Sequence, residues 1–177
     1  MTASDAVTTR RAETEDAPTL AETMRQGFET FREWTPAGWD PPGAVHEAER
    51  IREGLARPDA WCLLAVRGEE PAGHVAFVAA RRREEPRELI EGLAHLWMLF
   101  VRRPWWGTGL ADRLHGLAVE EAARHGYGEM RLHTPAGQGR ARAFYERAGW
   151  STDGVPIPEP MLGLDLVEYR RPLVAPG

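Results

Sequence analysis

The chain has one cysteine, Cys62, so no disulfide can close within it. Its apolar neighbours Trp61 and Leu63 describe a buried, inert thiol rather than a nucleophile. No apolar run approaches the roughly 20 residues that a spanning helix needs, and no apolar core follows the polar start Met1–Asp5. Neither a membrane span nor a secretory signal is expected, and a cytoplasmic location is the simplest reading. Positive charge is not in excess: 22 Lys and Arg face 27 Asp and Glu, a net charge of −5. Nothing therefore draws the chain to nucleic acid or to an anionic membrane surface. The arginine-dense stretch Arg81–Glu88 is balanced by its own acids and reads as a solvated hairpin tip. The six histidines show no zinc-ligand spacing, so no metal is expected. No Ser/His/Asp order or Cys/His pair marks a nucleophilic site, and no Walker Gly-Lys-Ser/Thr follows the chain's Gly-x-Gly loop.

What is present is the composition of a folded domain, 177 residues with 42% hydrophobic and 28% charged, expected to form one unit over residues 1–177 with Met1–Asp5 flexible. Leu96–Val101 is apolar at every position, which suits a strand buried on both faces. Pro104 ends its ladder, having no N–H to donate. From Leu110 the period changes: Leu110, Leu114, Leu117 and Ala118 share one helical face, and Gly126 supplies a stop. A buried strand thus feeds a helix through a loop that holds Gly107 and Gly109. The first N–H groups of a helix lack internal partners, and glycine lets an anion approach the main chain. Two readings stand for this loop: a phosphate cradle, or a tight turn that uses glycine only for its φ angles.

In chain order, Val7–Ala12 predicts a first strand, and Asp16 caps a helix whose Ala17, Leu20, Ala21, Met24 and Phe28 share a face. Phe31–Pro42 holds three prolines, a glycine and two tryptophans, Trp34 and Trp39. These tryptophans either cover the core or wall a ligand site. The second reading is preferred, because the segment joins two helices and combines Pro, Gly and aromatic residues. Ala44, Ala48, Ile51 and Leu55 align on a second helix. Trp61–Val66 and Ala72–Ala80 make a hairpin, and Glu129–Thr134 alternates as a strand with Met130 and Leu132 on one face. Arg140–Ala148 is a short helix closed by Gly149, with Ala141, Phe144, Tyr145 and Ala148 on one face. Ser151–Pro160 reads as a Pro-rich loop and Met161–Arg170 as the last strand.

The run Val101–Leu114 resembles the acetyl-coenzyme A signature of the GCN5-related N-acetyltransferases, the GNAT superfamily. Their loop reads Arg or Gln, two residues, Gly, one residue, then Gly or Ala. Here Trp106, Gly107, Thr108, Gly109, Leu110 and Ala111 stand at those positions, with Trp106 replacing the usual Arg or Gln. A second family motif reads Asn, two residues, Ala, two residues, aromatic or Leu, Tyr, then a Gly-aromatic pair. Gln138, Ala141, Phe144, Tyr145, Gly149 and Trp150 fit it, with Gln138 replacing Asn. The two motifs and the hairpin extend the resemblance over about Trp61–Trp150. The N-terminal third matches only in layout.

The resemblance implies an α/β GNAT fold, a mixed and mostly antiparallel sheet of about seven strands flanked by about four helices. It implies acetyl transfer from acetyl-coenzyme A to an amine by direct attack, with acetyl-CoA as co-substrate. A non-catalytic acyl-CoA-binding module of the same fold is the alternative. The cofactor would lie on Leu99, Phe100, Val101, Trp106, Gly107, Thr108, Gly109, Leu110, Ala111, Gln138 and Ala141, with an amide near Leu99–Val101 polarising the thioester oxygen. Tyr145 would protonate the leaving thiolate. For the base, His95 stands where some members carry a catalytic Glu, and its imidazole is expected to titrate in the useful range. Glu91 and water-mediated deprotonation stay open. The acceptor, a small-molecule amine or a peptide, would enter between Phe31–Pro42 and Ser151–Pro160. There Trp34 and Trp39 beside Glu33, Asp40, Asp153 and Glu159 suit a cationic amine with an apolar body. A homodimer is compatible with this reading.

Overall fold

The computed structural model describes residues 6–174; the expectation for Met1–Asp5 lies outside them. In chain order the elements are β1 (Thr8–Arg11), α1 (Ala17–Glu29), α2 (Ala44–Leu55), β2 (Trp61–Arg67), β3 (Glu70–Arg81), β4 (Leu89–Val101), α3 (Leu110–Arg124), β5 (Glu129–Pro135), α4 (Gly139–Arg147), β6 (Ile157–Glu159) and β7 (Leu164–Pro172). The strands form one seven-stranded sheet in the order β1-β2-β3-β4-β5-β7-β6. Every neighbouring pair is antiparallel except β4 and β5, which run parallel. This is the mixed α/β architecture that the sequence leads one to expect.

Side chains alternate across the sheet and build two cores. On one face Val75, Phe77, Leu96, Met130, Leu132, Val167 and Tyr169 meet Leu110, Leu114 and Ala118 of α3 and Tyr145 of α4. On the other, Cys62, Leu64, Ala76 and Met98 meet Leu20, Met24 and Phe28 of α1 and Ile51 of α2. The helical stripes read from the sequence are therefore the buried ones, with Ala48 and Leu55 half-buried beside Ile51; the side chain of Ala44 lies outside what is described. Gly27 and Gly54 let α1 and α2 sit directly on rings of β4. A Cβ at Gly27 would stand 2.5 Å from Phe100, and one at Gly54 would stand 2.1 Å from Trp97.

β4 is the strand that shapes the site. It pairs with β3 from Ala94 to Val101, but Phe77 faces Leu96 while Ala76 faces Met98, so Trp97 is an extra, bulged residue. Consequently Trp97 and Met98 both turn to the α1–α2 face, and Leu99 returns to the α3 face. On its other side β4 pairs with β5 only at Leu93–His95, against Glu129–Arg131. Beyond that point β5 pairs with β7 as far as Pro135. The two parallel strands thus diverge, and Leu96–Val101 presents one open edge.

Four local expectations are corrected. β4 begins at Leu89, not Leu96, because polar Glu91 and Gly92 interrupt an apolar reading of an edge that is exposed. Ile157–Glu159 is a strand rather than loop, paired with Leu164–Leu166. β7 starts at Leu164 because Met161–Gly163 turn, with Gly163 at φ 62. Asp16 does not cap α1; its carboxylate accepts the Glu13 amide at 2.9 Å and pairs with Arg10 at 2.7 Å. Pro18 in the first turn of α1 has already removed one of the amides in need of a cap.

Candidate active site

The loop from β4 to α3 holds itself in place. The Arg102 amide donates to Ala72, Arg103–Trp105 form a 3-10 turn, and the Thr108 hydroxyl donates to the Trp105 carbonyl at 2.6 Å. The Trp106 indole N–H donates to the Val101 carbonyl at 2.7 Å. Gly107 and Gly109 both take left-handed φ values, 74 and 82, and a Cβ at either would meet nothing within 4 Å. The helix α3 has no side-chain cap. Its first internal backbone bond is Arg113 to Gly109, so the amides of Leu110, Ala111 and Asp112 are unspent. An open glycine loop with orphan amides at the start of a 15-residue helix fits an anionic phosphate group.

Trp106 stands where the usual Arg or Gln is missing, yet positive charge is present there. The Arg140 guanidinium lies 3.7 Å above its ring and that of Arg103 lies 4.9 Å away. Arg140 lies in the first turn of α4, so this stack ties the loop to the second motif.

Around the strand fork, Leu99 and Val101 point their side chains into the α3 core and Phe100 into the α1 core. In an antiparallel ladder alternate amides face the partner strand, so others on Leu96–Val101 face the open edge. Gln138 is the N-cap residue of α4 and half-buried, Ala141 packs on the α3-side core, and Tyr145 is buried one turn further on. The Tyr145 ring contacts Phe144, Trp150 and Tyr169 at centroid distances of 5.2, 5.9 and 6.2 Å. Burial pushes its phenol above the ordinary value of 10.0, so it stays protonated through the neutral range.

His95 lies on the opposite face of the fork, half-buried, with Nδ1 sealed from solvent and unpartnered. Its ring centroid is 5.3 Å from that of His133, whose Nε2 is 3.2 Å from Glu168. Burial first, then the positive surroundings of His133 and Arg131, push His95 down to about 3. The expectation that it titrates in the useful range is therefore corrected: the imidazole is neutral throughout the neutral pH range. Glu91 is exposed, between the pairing of β4 at Leu89 and that from Ala94 onward.

The same physics predicts an acid-sensitive fold. Burial lowers His74 to about 3 and His115 to about 4. His115 accepts the Trp150 indole N–H at 2.8 Å, while both nitrogens of His74 are sealed without partners. These groups bind protons in the unfolded chain but not in the folded one between their folded values and the ordinary 6.5. Stability is then present above 6.5 and lost as pH falls, by about 1.4 kcal/mol per pH unit for each histidine. Urea midpoints measured from pH 7 downward should fall steeply through this window, and His74→Met should flatten the curve. A midpoint that does not move would contradict these assignments.

The two loops expected to flank an acceptor do meet. The Trp39 indole N–H donates to the Leu162 carbonyl at 2.7 Å, linking Phe31–Pro42 to the turn before β7. Trp34 lies against Gly137, where a Cβ would be 2.9 Å from its ring. Both tryptophans are half-buried and pack on Phe31, with centroids 5.0 and 6.0 Å away. The acids expected beside them are engaged elsewhere. Glu33 pairs with Arg103, Asp40 pairs with Arg32 at 3.0 Å, Glu159 lies 3.7 Å from Arg83, and Asp153 accepts the Val155 amide. Each of these acids thus already has a partner within the fold. What the sequence reading missed is the polar floor of the fork, Arg131, His133 and Glu168. The alternation that buries Met130 and Leu132 puts Arg131 and His133 on the other face, so the signal was present.

Comparison with known proteins supports this geometry. A search of curated proteins finds no match. Solved structures align over almost the whole chain. A GNAT-family protein from Desulfovibrio desulfuricans has a TM-score of 0.71 at 23% identity, over 96% of this chain and 100% of that one. A ribosomal-protein-alanine N-acetyltransferase from Brucella melitensis has 0.69 at 20%, over 94% and 99%. A PaiA N-acetyltransferase from Thermoplasma acidophilum, in complex with coenzyme A, has 0.67 at 16%, over 92% and 98%. At these identities the likeness establishes the fold. The profile of the acetyltransferase (GNAT) family matches residues 24–150, which spans both glycine loop and fork, and the chain belongs to that family.

Proposed function

We propose that the chain transfers the acetyl group of acetyl-CoA to a primary amine by direct attack in a ternary complex. The observation that carries this reading is the juxtaposition of two features. An uncapped helix start with two left-handed glycines lies at the end of the strand whose free edge lines the fork. Amides of Gly107, Gly109, Leu110 and Ala111 hold the pyrophosphate, with Arg103 and Arg140 on Trp106 adding the charge that an Arg at that position would bring. Gln138 and Ala141 line the pantetheine arm, and an amide of Leu99–Val101 donates to the carbonyl oxygen as it gains charge. The amine nitrogen forms a bond to the acetyl carbon and the carbon–sulfur bond breaks. The amine loses its proton to water and attacks as the free base with neutral His95 beside it, and the sulfur takes a proton from the Tyr145 hydroxyl. Trp34 and Trp39 form the apolar wall of the acceptor entry.

Because His95 stays uncharged down to about 3, the acidic limb of the rate profile belongs to the amine's own deprotonation. The test is thiol release on adding a panel of primary amines to the protein and acetyl-CoA. Release that depends on the amine supports the reading. Saturable acetyl-CoA binding with no amine-dependent release would leave only the binding module.

A further inference from the structure

We propose that the acceptor carries a carboxylate close to its amine, as an amino acid does, and that Arg131 receives it. The inference rests on the acetyl-transfer reading of the fork. Arg131 follows directly across from His95 where β4 and β5 last pair. It is half-buried, and one guanidinium N–H donates to the main-chain carbonyl of Arg81 at 2.5 Å, a neutral partner. Its Nε is sealed and has no partner. Among the described residues no carboxylate forms an ion pair with it, and those nearby are taken. Glu168 accepts from Arg170 at 2.6 Å and stands 3.2 Å from His133, and Glu129 pairs with Arg170 at 2.8 Å. Asp59 pairs with Arg57 at 2.6 Å, and Glu159 lies 3.7 Å from Arg83.

The charges around Arg131 make matters worse for it rather than better. Burial, Arg170 and Arg83 all act against its charged form, and only Glu168 opposes them. His95 is neutral, so it neither competes for an anion nor balances one. A half-buried guanidinium without a counter-charge is costly to keep. An arriving carboxylate removes that cost and matches the planar fork with two parallel hydrogen bonds. The amine of the same molecule then lies beside His95, the direct cross-strand neighbour. Half-buried Trp34, Trp39 and Trp97 on the same sheet face leave apolar surface for the rest of the skeleton. The substrate class that follows is a small amino acid with an apolar side chain.

The test uses matched trios: leucine, phenylalanine and methionine, each with its amide and its decarboxylated amine. Wild-type kcat/KM is expected to favour the free amino acids by about tenfold or more, the worth of a charge-assisted pair. Arg131→Gln should erase the preference, bringing the three forms of each trio to equal kcat/KM whatever their absolute rates, and Arg131→Lys should recover part of it. Equal use of all three forms by the wild type, or a preference that survives Arg131→Gln, would overturn the proposal. A binding readout needs no turnover: with saturating coenzyme A, N-acetylphenylalanine should raise the Tm of the wild type but not of Arg131→Gln, and N-acetylphenethylamine should raise neither. A coenzyme A shift retained in Arg131→Gln shows that variant to be folded. Acetylation of amines without any carboxylate advantage defeats this proposal alone. Arg131-dependent binding of N-acetylphenylalanine with no acetylation of any amine defeats the transfer reading and leaves the carboxylate site.

Discussion

Gly109→Asp is expected to weaken coenzyme A binding by about 100-fold or more and to remove the rise in Tm that the ligand produces, because a like charge set into an anion site costs several kcal/mol. The variant is expected to fold. Gly109 has φ 82, a conformation that Asp tolerates better than most residues, and an added Cβ meets nothing within 4 Å. The strain is then about 1 kcal/mol, small beside the lost binding. Gly126→Asp is the matched control. It has φ 85 and equal space around it, but it lies at the far end of α3. Coenzyme A should stabilise Gly126→Asp as it does the wild type. Unchanged affinity in a folded Gly109→Asp would remove this loop from the site.

Tyr145→Phe is expected to lower kcat by about 100-fold, the usual worth of a positioned proton donor, with little change in coenzyme A affinity. The ring stays, so its contacts with Phe144, Trp150 and Tyr169 stay as well. The pH dependence has a definite sign. Burial raises the phenol above 10.0, so the protonated form persists and the wild-type rate should not fall on the alkaline side until beyond that value. A wild-type kcat in Tyr145→Phe would dismiss the residue as the acid. Equal loss of affinity and kcat would make it a packing residue only.

The sequence announced the long apolar features of this fold well, since the stripes of α1 and α3 and the hairpin of β2 and β3 depend on local period. It was silent where the outcome depends on a partner far along the chain. Ile157–Glu159 is too short to declare itself and becomes a strand only by pairing with β7. Trp97 reads as one more apolar residue in a run, and its bulge exists only against Ala76 and Phe77. The glycine loop was legible because its chemistry is local. The state of His95 was not, because its burial, and then its neighbours His133 and Arg131, come only with the docking of β5. The partners of the acids beside Trp34 and Trp39 were hidden for the same reason: Glu33 meets Arg103 only in the folded chain.

The central claim is that the glycine loop and the strand fork together move an acetyl group straight from thioester to amine. The most direct measurement incubates the protein with acetyl-CoA, first alone and then with the amine panel, and follows free thiol, acetylated amine and intact protein mass together. The chain contains no lysine, so apart from its α-amine it offers no amine of its own to confuse the reading. The account predicts no thiol release and no acetyl adduct on the protein without an amine, and equal amounts of free thiol and acetylated amine with one. An acetyl adduct that forms on the protein before the amine is added, and passes to the amine afterwards, would contradict it.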